Sequence, residues 1–364
     1  MQRIKALWIT EDPDRPTTAQ LTGLDRAGVD ITVICPAQHR SAVAQAGLRV
    51  LDVPFGRVDL STIAALRAEL THGRYDILHL HGNKAVRTGV SASRGLPLKV
   101  VAYRGIVGNV SFFNPVSWQR FLNPRIDRIV CVANAVREYF LQMRPKFLRL
   151  PPEKLVTIHK GHSLDWYRAT PVDLSGIGVP PGSFAIVCVA NYRPRKGIEL
   201  LVDALGELPT EWRAHLLLIG AGMDAPALAK RIAASPAAAN IHVLGFRKDA
   251  PELTAACDVF VLPSTKREGL SRSLIEAMAY GVAPVVTDCG GSPEVVVDGV
   301  SGIVAPVRDV AALAAALKRL HDDPGLRRRM GAAARERIRS DFRIEDTITK
   351  TLELYRNLVQ TDAR

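Results

Sequence analysis

The chain has 364 residues, 47% of them apolar, and a mean hydropathy of +0.06. That is the composition of a soluble protein with room for two α/β domains, and no apolar run reaches the roughly 18 residues a membrane-spanning helix needs. The formal net charge of +12 is lopsided: residues 1–170 carry 24 of the 48 Lys and Arg but 13 of the 36 Asp and Glu, a net of +11 against +1 for the rest. The first half therefore points to an anionic partner, whether phospholipid headgroups, a phosphorylated acceptor or nucleic acid, although an arginine-rich solvated surface gives the same count. The five cysteines are scattered and form no Cys-x-x-Cys pair. They fit a reducing cytoplasm and argue against a disulfide framework or a structural zinc.

Met1–Ile9 opens with two positive charges and a short apolar run. The run ends at Thr10-Glu11-Asp12-Pro13, too early for a signal peptide, and reads as a first buried strand. Strands are expected at residues 6–9, 31–35, 76–80, 98–103 and 129–132, then at 184–190, 214–219, 241–244, 259–262 and 283–286. Helices are expected between them at 17–27, 60–72, 84–94, 197–207, 225–234, 271–280 and 310–321. Continuous apolar strands alternating with helices imply parallel sheets covered on both faces. The stretch from Thr170 to Gly182 is rich in Gly and Pro and has no period, so it reads as a linker. The expected layout is residues 1–170 and 171–340 as two doubly wound domains, with 341–364 as a helix returning to the first. Two such domains leave a cleft at the carboxyl ends of their strands, the default place for a ligand.

Three segments of the second half carry chemistry. Asn191-Tyr192-Arg193-Pro194-Arg195-Lys196-Gly197 follows a strand and precedes a helix, so Arg193 and Lys196 can neutralise a diphosphate. In Glu268-Gly269-Leu270-Ser271…Glu276 seven residues separate two carboxylates, one in a loop and one in a helix. A helix start suited to a phosphate lies between them. Glu276 sits among Leu274, Ile275, Ala277 and Met278, where a carboxylate needs a partner. Gly290-Gly291-Ser292-Pro293-Glu294 is a turn whose backbone can approach a ligand closely. Read singly, a basic loop, a solvated glutamate or a simple turn would explain each.

In this order, and with Asp298–Gly302 following, the segments resemble the donor-binding half of glycosyltransferase family 4 over roughly residues 184–320. Weaker matches are Asp76–Gly82 and Asp127–Ala133. The resemblance implies the GT-B fold, two Rossmann-like domains facing each other across a cleft. It also implies metal-independent, cofactor-free transfer of a sugar from a UDP- or GDP-sugar, with retention of configuration, to a glycan or lipid-linked acceptor of the cell envelope. It assigns Arg193 and Lys196 to the donor diphosphate, Glu268 to the transferred sugar and Glu276 to the ribose. It sets Gly269, Leu270 and Ser271 against the donor, the backbone of the last two at the phosphates, and Gly245-Phe246-Arg247 beside the base. Electrostatic stabilisation of the leaving diphosphate carries much of such catalysis. Two departures stand out. Where many members carry His-Gly after the fourth strand, this chain reads Arg104-Gly105, and the loop after the first strand lacks glycine. Arg104 could stabilise charge but is a poor proton acceptor.

Other features invite a function. Asp12-Pro13-Asp14 has the Asp-x-Asp form of metal-dependent transferases but stands at the start of the chain, so no metal is expected. His79 reads as a core residue, and His81, at a strand end, as a catalytic or acceptor-site candidate. The aromatic run from Val110 to Leu122 precedes a stretch where Arg144, Lys146 and Arg149 alternate with Phe147, Leu148 and Leu150. This is a candidate face for an anionic membrane, and a peripheral place on the inner side of the cell membrane goes with it. An epimerase or phosphorylase would keep the fold. A basic nucleic-acid-binding protein, suggested by a pI near 9.7, is not expected because no such motif is present.

Overall fold

The computed structural model describes residues 3–53, 58–145 and 147–360. Met1, Gln2 and Lys146, each part of a reading above, lie outside them. The chain divides into two compact units, Met1–Gly161 with Arg343–Arg364, and His162–Phe342.

The first unit alternates strand and helix: β1 (Lys5–Thr10), α1 (Arg15–Arg26), β2 (Asp30–Ile34), α2 (Ala37–Gln45), β3 (Arg49–Val50), α3 (Leu60–Gly73), β4 (Ile77–His81), α4 (Asn83–Ala92), β5 (Lys99–Arg104), α5 (Pro115–Trp118), β6 (Arg128–Cys131), α6 (Asn134–Leu141) and β7 (Leu155–Thr157). The strands form one parallel sheet in the order β3-β2-β1-β4-β5-β6-β7. The runs Ala6–Ile9 and Ile77–Leu80 are buried throughout, as helices on both faces require. Aspartates start α1 and α3. Asp14 accepts from Thr17 N at 3.1 Å and Asp59 from Thr62 N at 2.8 Å, each pairing a donor that the first helical turn leaves open.

The second unit repeats the plan: β8 (Phe184–Val189), α7 (Ile198–Gly206), β9 (Ala214–Ile219), α8 (Pro226–Ala233), β10 (Ile241–Gly245), α9 (Ala250–Ala255), β11 (Val259–Leu262), α10 (Arg272–Ala279), β12 (Ala283–Thr287), α11 (Ser292–Val295), β13 (Ile303–Ala305), α12 (Val310–Asp322) and α13 (Pro324–Asp341). Its sheet order is β10-β9-β8-β11-β12-β13, again parallel. Winding reverses between β1 and β4 in one sheet and between β8 and β11 in the other. The carboxyl ends at those reversals are where open α/β sheets hold ligands.

All ten expected strands are present. The sequence pattern passed over β3, β7 and β13, edge strands of two or three residues, too short to show a period. It also passed over α2, which buries only Val43 and so has no apolar stripe. The stretch Thr170–Gly182, read as a linker, lies inside the second unit, where Leu174 and Val179 join the core.

The last helix, α14 (Ile344–Gln360), belongs to the first unit and packs along α1. A Cβ on Gly23 would stand 2.2 Å from Ile348, so the small residue on α1 permits the close approach. Gln20 Nε2 donates to Thr351 Oγ1 at 2.9 Å. Tyr355 is fully buried, and its hydroxyl bonds Nδ1 of His79 at 2.7 Å, while His79 stacks on Trp8 at 3.8 Å. Tyr355→Ala should therefore cost about 3–5 kcal/mol of stability, as other large core truncations do. Denaturant unfolding checks this, and a loss under about 1 kcal/mol would show that α14 is not part of this core.

Candidate functional site

The loops after β8 and β11 leave neighbouring strands at the reversal of the second sheet, and they are tied together. Thr265 N donates to Arg195 O at 2.8 Å, and a Cβ on Gly197 (φ +66°) would stand 2.2 Å from Pro263 O. Lys196 is thereby brought to Glu268. Its Nζ lies 2.8 Å from Glu268 Oε2, and the two side chains are 13% and 8% exposed. The same oxygen accepts from Ser264 Oγ at 2.6 Å. Ser264 is fully buried, and its carbonyl accepts from Thr287 Oγ1 at the end of β12. The Gly290 turn closes the other side, where a Cβ (φ +58°) would meet Glu268 O at 2.0 Å, so only glycine fits. Cys289, beside it, is buried, and burial raises its thiol pKa.

Of the other expected donor-side residues, Arg193, Gly269 to Ser271 and Gly245 to Arg247 stand at or follow the ends of β8, β11 and β10, and Glu276 lies within α10. Arg193 is exposed, its carbonyl accepts from Lys196 N at 2.8 Å, and its guanidinium has no bonded partner among the described residues, which leaves it available to an anion. Gly269 is buried and Leu270 half-buried. Ser271 precedes the first turn of α10 without capping it, and its hydroxyl lies 3.2 Å from Ser273 Oγ instead. The open N–H groups there face an anion favourably. Glu276, one turn into α10, lies 3.6 Å from Arg272 Nε. At the end of β10, Gly245 takes φ +63° and its carbonyl accepts from Gly220 N at 2.7 Å. Phe246 is 72% exposed, and Arg247 is engaged by Asp249 at 2.6 and 2.7 Å. Asp298 accepts from Val304 N at 2.8 Å and ties its turn to β13.

His81 and Arg104 stand at strand ends of the first unit. His81 packs on Tyr103 with ring centroids 4.1 Å apart, and burial, helped by the Lys160 charge, pushes its pKa down to about 3. Lys160 itself bonds both oxygens of Asp14 at 2.7 Å. Arg104 is turned into its own loop. Its Nε donates to Ile106 O at 3.1 Å, a second nitrogen donates to Gly108 O, and the guanidinium lies 4.8 Å from the Phe121 ring centre. In this geometry Arg104 holds the loop after β5. Glu11, in the glycine-free loop, caps α4 by accepting from Lys84 N and Ala85 N. The sequence had assigned no role to Ser264, Thr287 or Glu11. A serine four residues before a loop glutamate was the one available signal for Ser264.

Residues 174–337 match the model for glycosyl transferases group 1, and residues 15–161 match a glycosyl transferase 4-like domain. The chain belongs to this glycosyltransferase family. It is 30% identical to the α-maltose-1-phosphate synthase of Mycolicibacterium smegmatis, over 66% of this chain and 66% of the synthase. It is 29% identical to the phosphatidyl-myo-inositol mannosyltransferase of Mycobacterium tuberculosis, over 85% of this chain and 83% of that one. A Bacillus anthracis N-acetyl-α-D-glucosaminyl L-malate synthase is 30% identical, but the match spans only 48% of its length and 51% of this chain. Among solved structures, a Rickettsia africae glycosyltransferase superposes with a TM-score of 0.83 at 18% identity, each chain 99% covered. Anabaena HepE, in complex with UDP and glucose, gives 0.80 at 22% identity, with 97% of this chain and 100% of that one covered. The fold is GT-B.

The imidazoles of buried His79 and half-buried His81 give a pH prediction. Burial also holds the His79 pKa well below its ordinary value. Below about pH 6.5 the unfolded chain takes up protons that folded His79 and His81 refuse, so stability falls with pH. The slope is at most about 1.4 kcal/mol per pH unit for each imidazole. Urea midpoints measured from pH 7 to pH 5 should fall, and fall less in His81→Asn. Equal slopes in the two proteins would overturn the assignment to His81.

Proposed function

We propose that the protein is a retaining glycosyltransferase that moves a hexosyl group from a UDP- or GDP-sugar to a hydroxyl of a glycan or lipid-linked acceptor. Its place in this reading is the cytoplasmic face of the cell membrane, in the synthesis of envelope polysaccharide or lipopolysaccharide. The observation that carries the donor assignment is the Lys196–Glu268 pair, at the reversal of the second sheet beside the open first turn of α10. The relatives act on sugars by their names. One transfers mannose to phosphatidyl-myo-inositol, and HepE was solved with UDP and glucose.

In this reading Arg193, Lys196 and the N-terminus of α10 meet the diphosphate and stabilise the charge that grows as it leaves. The bond from the anomeric carbon to the phosphate oxygen breaks, and the acceptor oxygen bonds that carbon on the same face. The acceptor proton passes to the departing phosphate. Protein cations carry the charge, so no metal or other cofactor is required. Glu268 accepts from a hydroxyl of the transferred sugar and Glu276 from the ribose. Gly245, Phe246 and Arg247 border the base, and Gly269, Leu270 and Ser271 lie along the phosphates. His81 lies on the acceptor side, at the reversal of the first sheet. Arg104 acts through the loop that it holds.

The two glutamates should separate by experiment. Glu276→Ala should weaken UDP or GDP binding about tenfold or more, in line with the loss of hydrogen bonds to a charged acceptor. Glu268→Ala should lower turnover far more than nucleotide affinity. Calorimetry and donor-hydrolysis assays with EDTA present measure both, and parental behaviour of both variants would end the assignment.

The first unit supplies the surface for a membrane. Leu60, Phe113 and Trp118 are 86%, 79% and 42% exposed, and Phe147 is 85% exposed. Leu60, Ile63 and Trp118 line one groove with Arg87 and Arg94. Exposed apolar side chains flanked by arginines suit an anionic bilayer. The protein should sediment with vesicles containing anionic lipid at low salt, and less so when Arg87 and Arg94 are both changed to Ala. Absence from the pellet at every salt concentration would remove the membrane from this reading.

A further inference from the structure

The carboxylate of Glu268 is used unequally. Its Oε2 accepts two hydrogen bonds, from Lys196 Nζ at 2.8 Å and from Ser264 Oγ at 2.6 Å. Its Oε1 has no bonded partner among the described residues. Charge-assisted bonds of this kind are short and directional, and two on one oxygen fix the plane of the group. Ser264 is itself fixed. It is fully buried just beyond β11, and Thr287 Oγ1, fully buried at the end of β12, donates to its carbonyl. Lys196 comes from the loop after β8, so three successive strand ends determine where Oε1 points. A serine hydroxyl has one proton, and here it is spent on Glu268.

We propose that Ser264 is a positioning residue for sugar transfer. With Lys196 it saturates one oxygen of Glu268 and presents the other as the single acceptor for one hydroxyl of the donor sugar. The inference rests on the reading of Glu268 as the residue that contacts that sugar. It adds that the sugar, not the nucleotide, feels the loss of Ser264. Without the hydroxyl the carboxylate can turn about Lys196 alone, and Oε1 leaves its place. Misplacing a group that orients a substrate costs up to about a hundredfold in rate.

The test compares Ser264→Ala, Ser264→Thr, Thr287→Val and Glu268→Ala, with Ser264→Ala also made in the Glu268→Ala background. Affinities for UDP, GDP, UDP-glucose, UDP-N-acetylglucosamine and GDP-mannose are measured by calorimetry, and turnover by hydrolysis of whichever nucleotide sugar the parent binds most tightly. Ser264→Ala should keep parental affinity for UDP and GDP, weaken the nucleotide sugar about tenfold, and lower turnover about tenfold to a hundredfold. Ser264→Thr, which keeps the hydroxyl, should recover most of the loss. Thr287→Val should show a smaller loss in the same direction, and it decides the matter should Ser264→Ala not fold. In the Glu268→Ala background Ser264→Ala should cost nothing more. Equal weakening of UDP and nucleotide sugar, an additive loss in the double variant, or parental Ser264→Ala and Thr287→Val would each overturn the proposal. If Glu268→Ala alone is parental, the reading of the site fails instead.

Discussion

A buried ion pair governs the second unit. Lys196 and Glu268 have each given up most of their water, and at 2.8 Å their attraction repays that only if the remaining polar valences are also met. Ser264 meets one of them. Removing one member of such a pair leaves a stranded charge, a loss of about 3–5 kcal/mol in other proteins. The fold is therefore obliged to keep the loops after β8, β11 and β12 in contact. Their mutual bonds, and the close backbone approach at Gly197 and Gly290, follow from that obligation.

The first unit spends its charged residues differently. Glu11 closes the start of α4, Asp14 and Lys160 pair beside α1, and Arg104 holds the carbonyls of its own loop. The polar groups nearest the reversal of that sheet are thus committed to backbone or to one another. Arg87 and Arg94 instead line a groove with Leu60, Ile63 and Trp118. The second unit buries an ion pair, and the first carries exposed arginines beside exposed apolar side chains.

The helix α14 ties the end of the chain to its beginning. Tyr355 reaches His79 and Trp8 across the first core, and a sheet with β1 and β4 at its centre is completed by residues some 276 positions away. A buried imidazole bonded on one side and stacked on the other stays neutral, because protonation would place a charge where no water can reach it.

Much of this was legible in the sequence. Ten strands announced themselves by short, largely apolar runs, and the spacing of Glu268 and Glu276, with Arg193 and Lys196 upstream, carried the family resemblance that implies a donor side. These are local properties, and apolar period and motif spacing survive in one dimension. That the first compact unit runs to Gly161 did not show, because a Gly- and Pro-rich segment looks the same whether it links units or packs Leu174 and Val179 into a core. Nor did the commitment of Arg104 to its own loop, or the hydroxyl of Ser264 on Glu268. Those depend on which carbonyl or carboxylate stands within hydrogen-bond reach. Only the three-dimensional meeting of strand ends decides that.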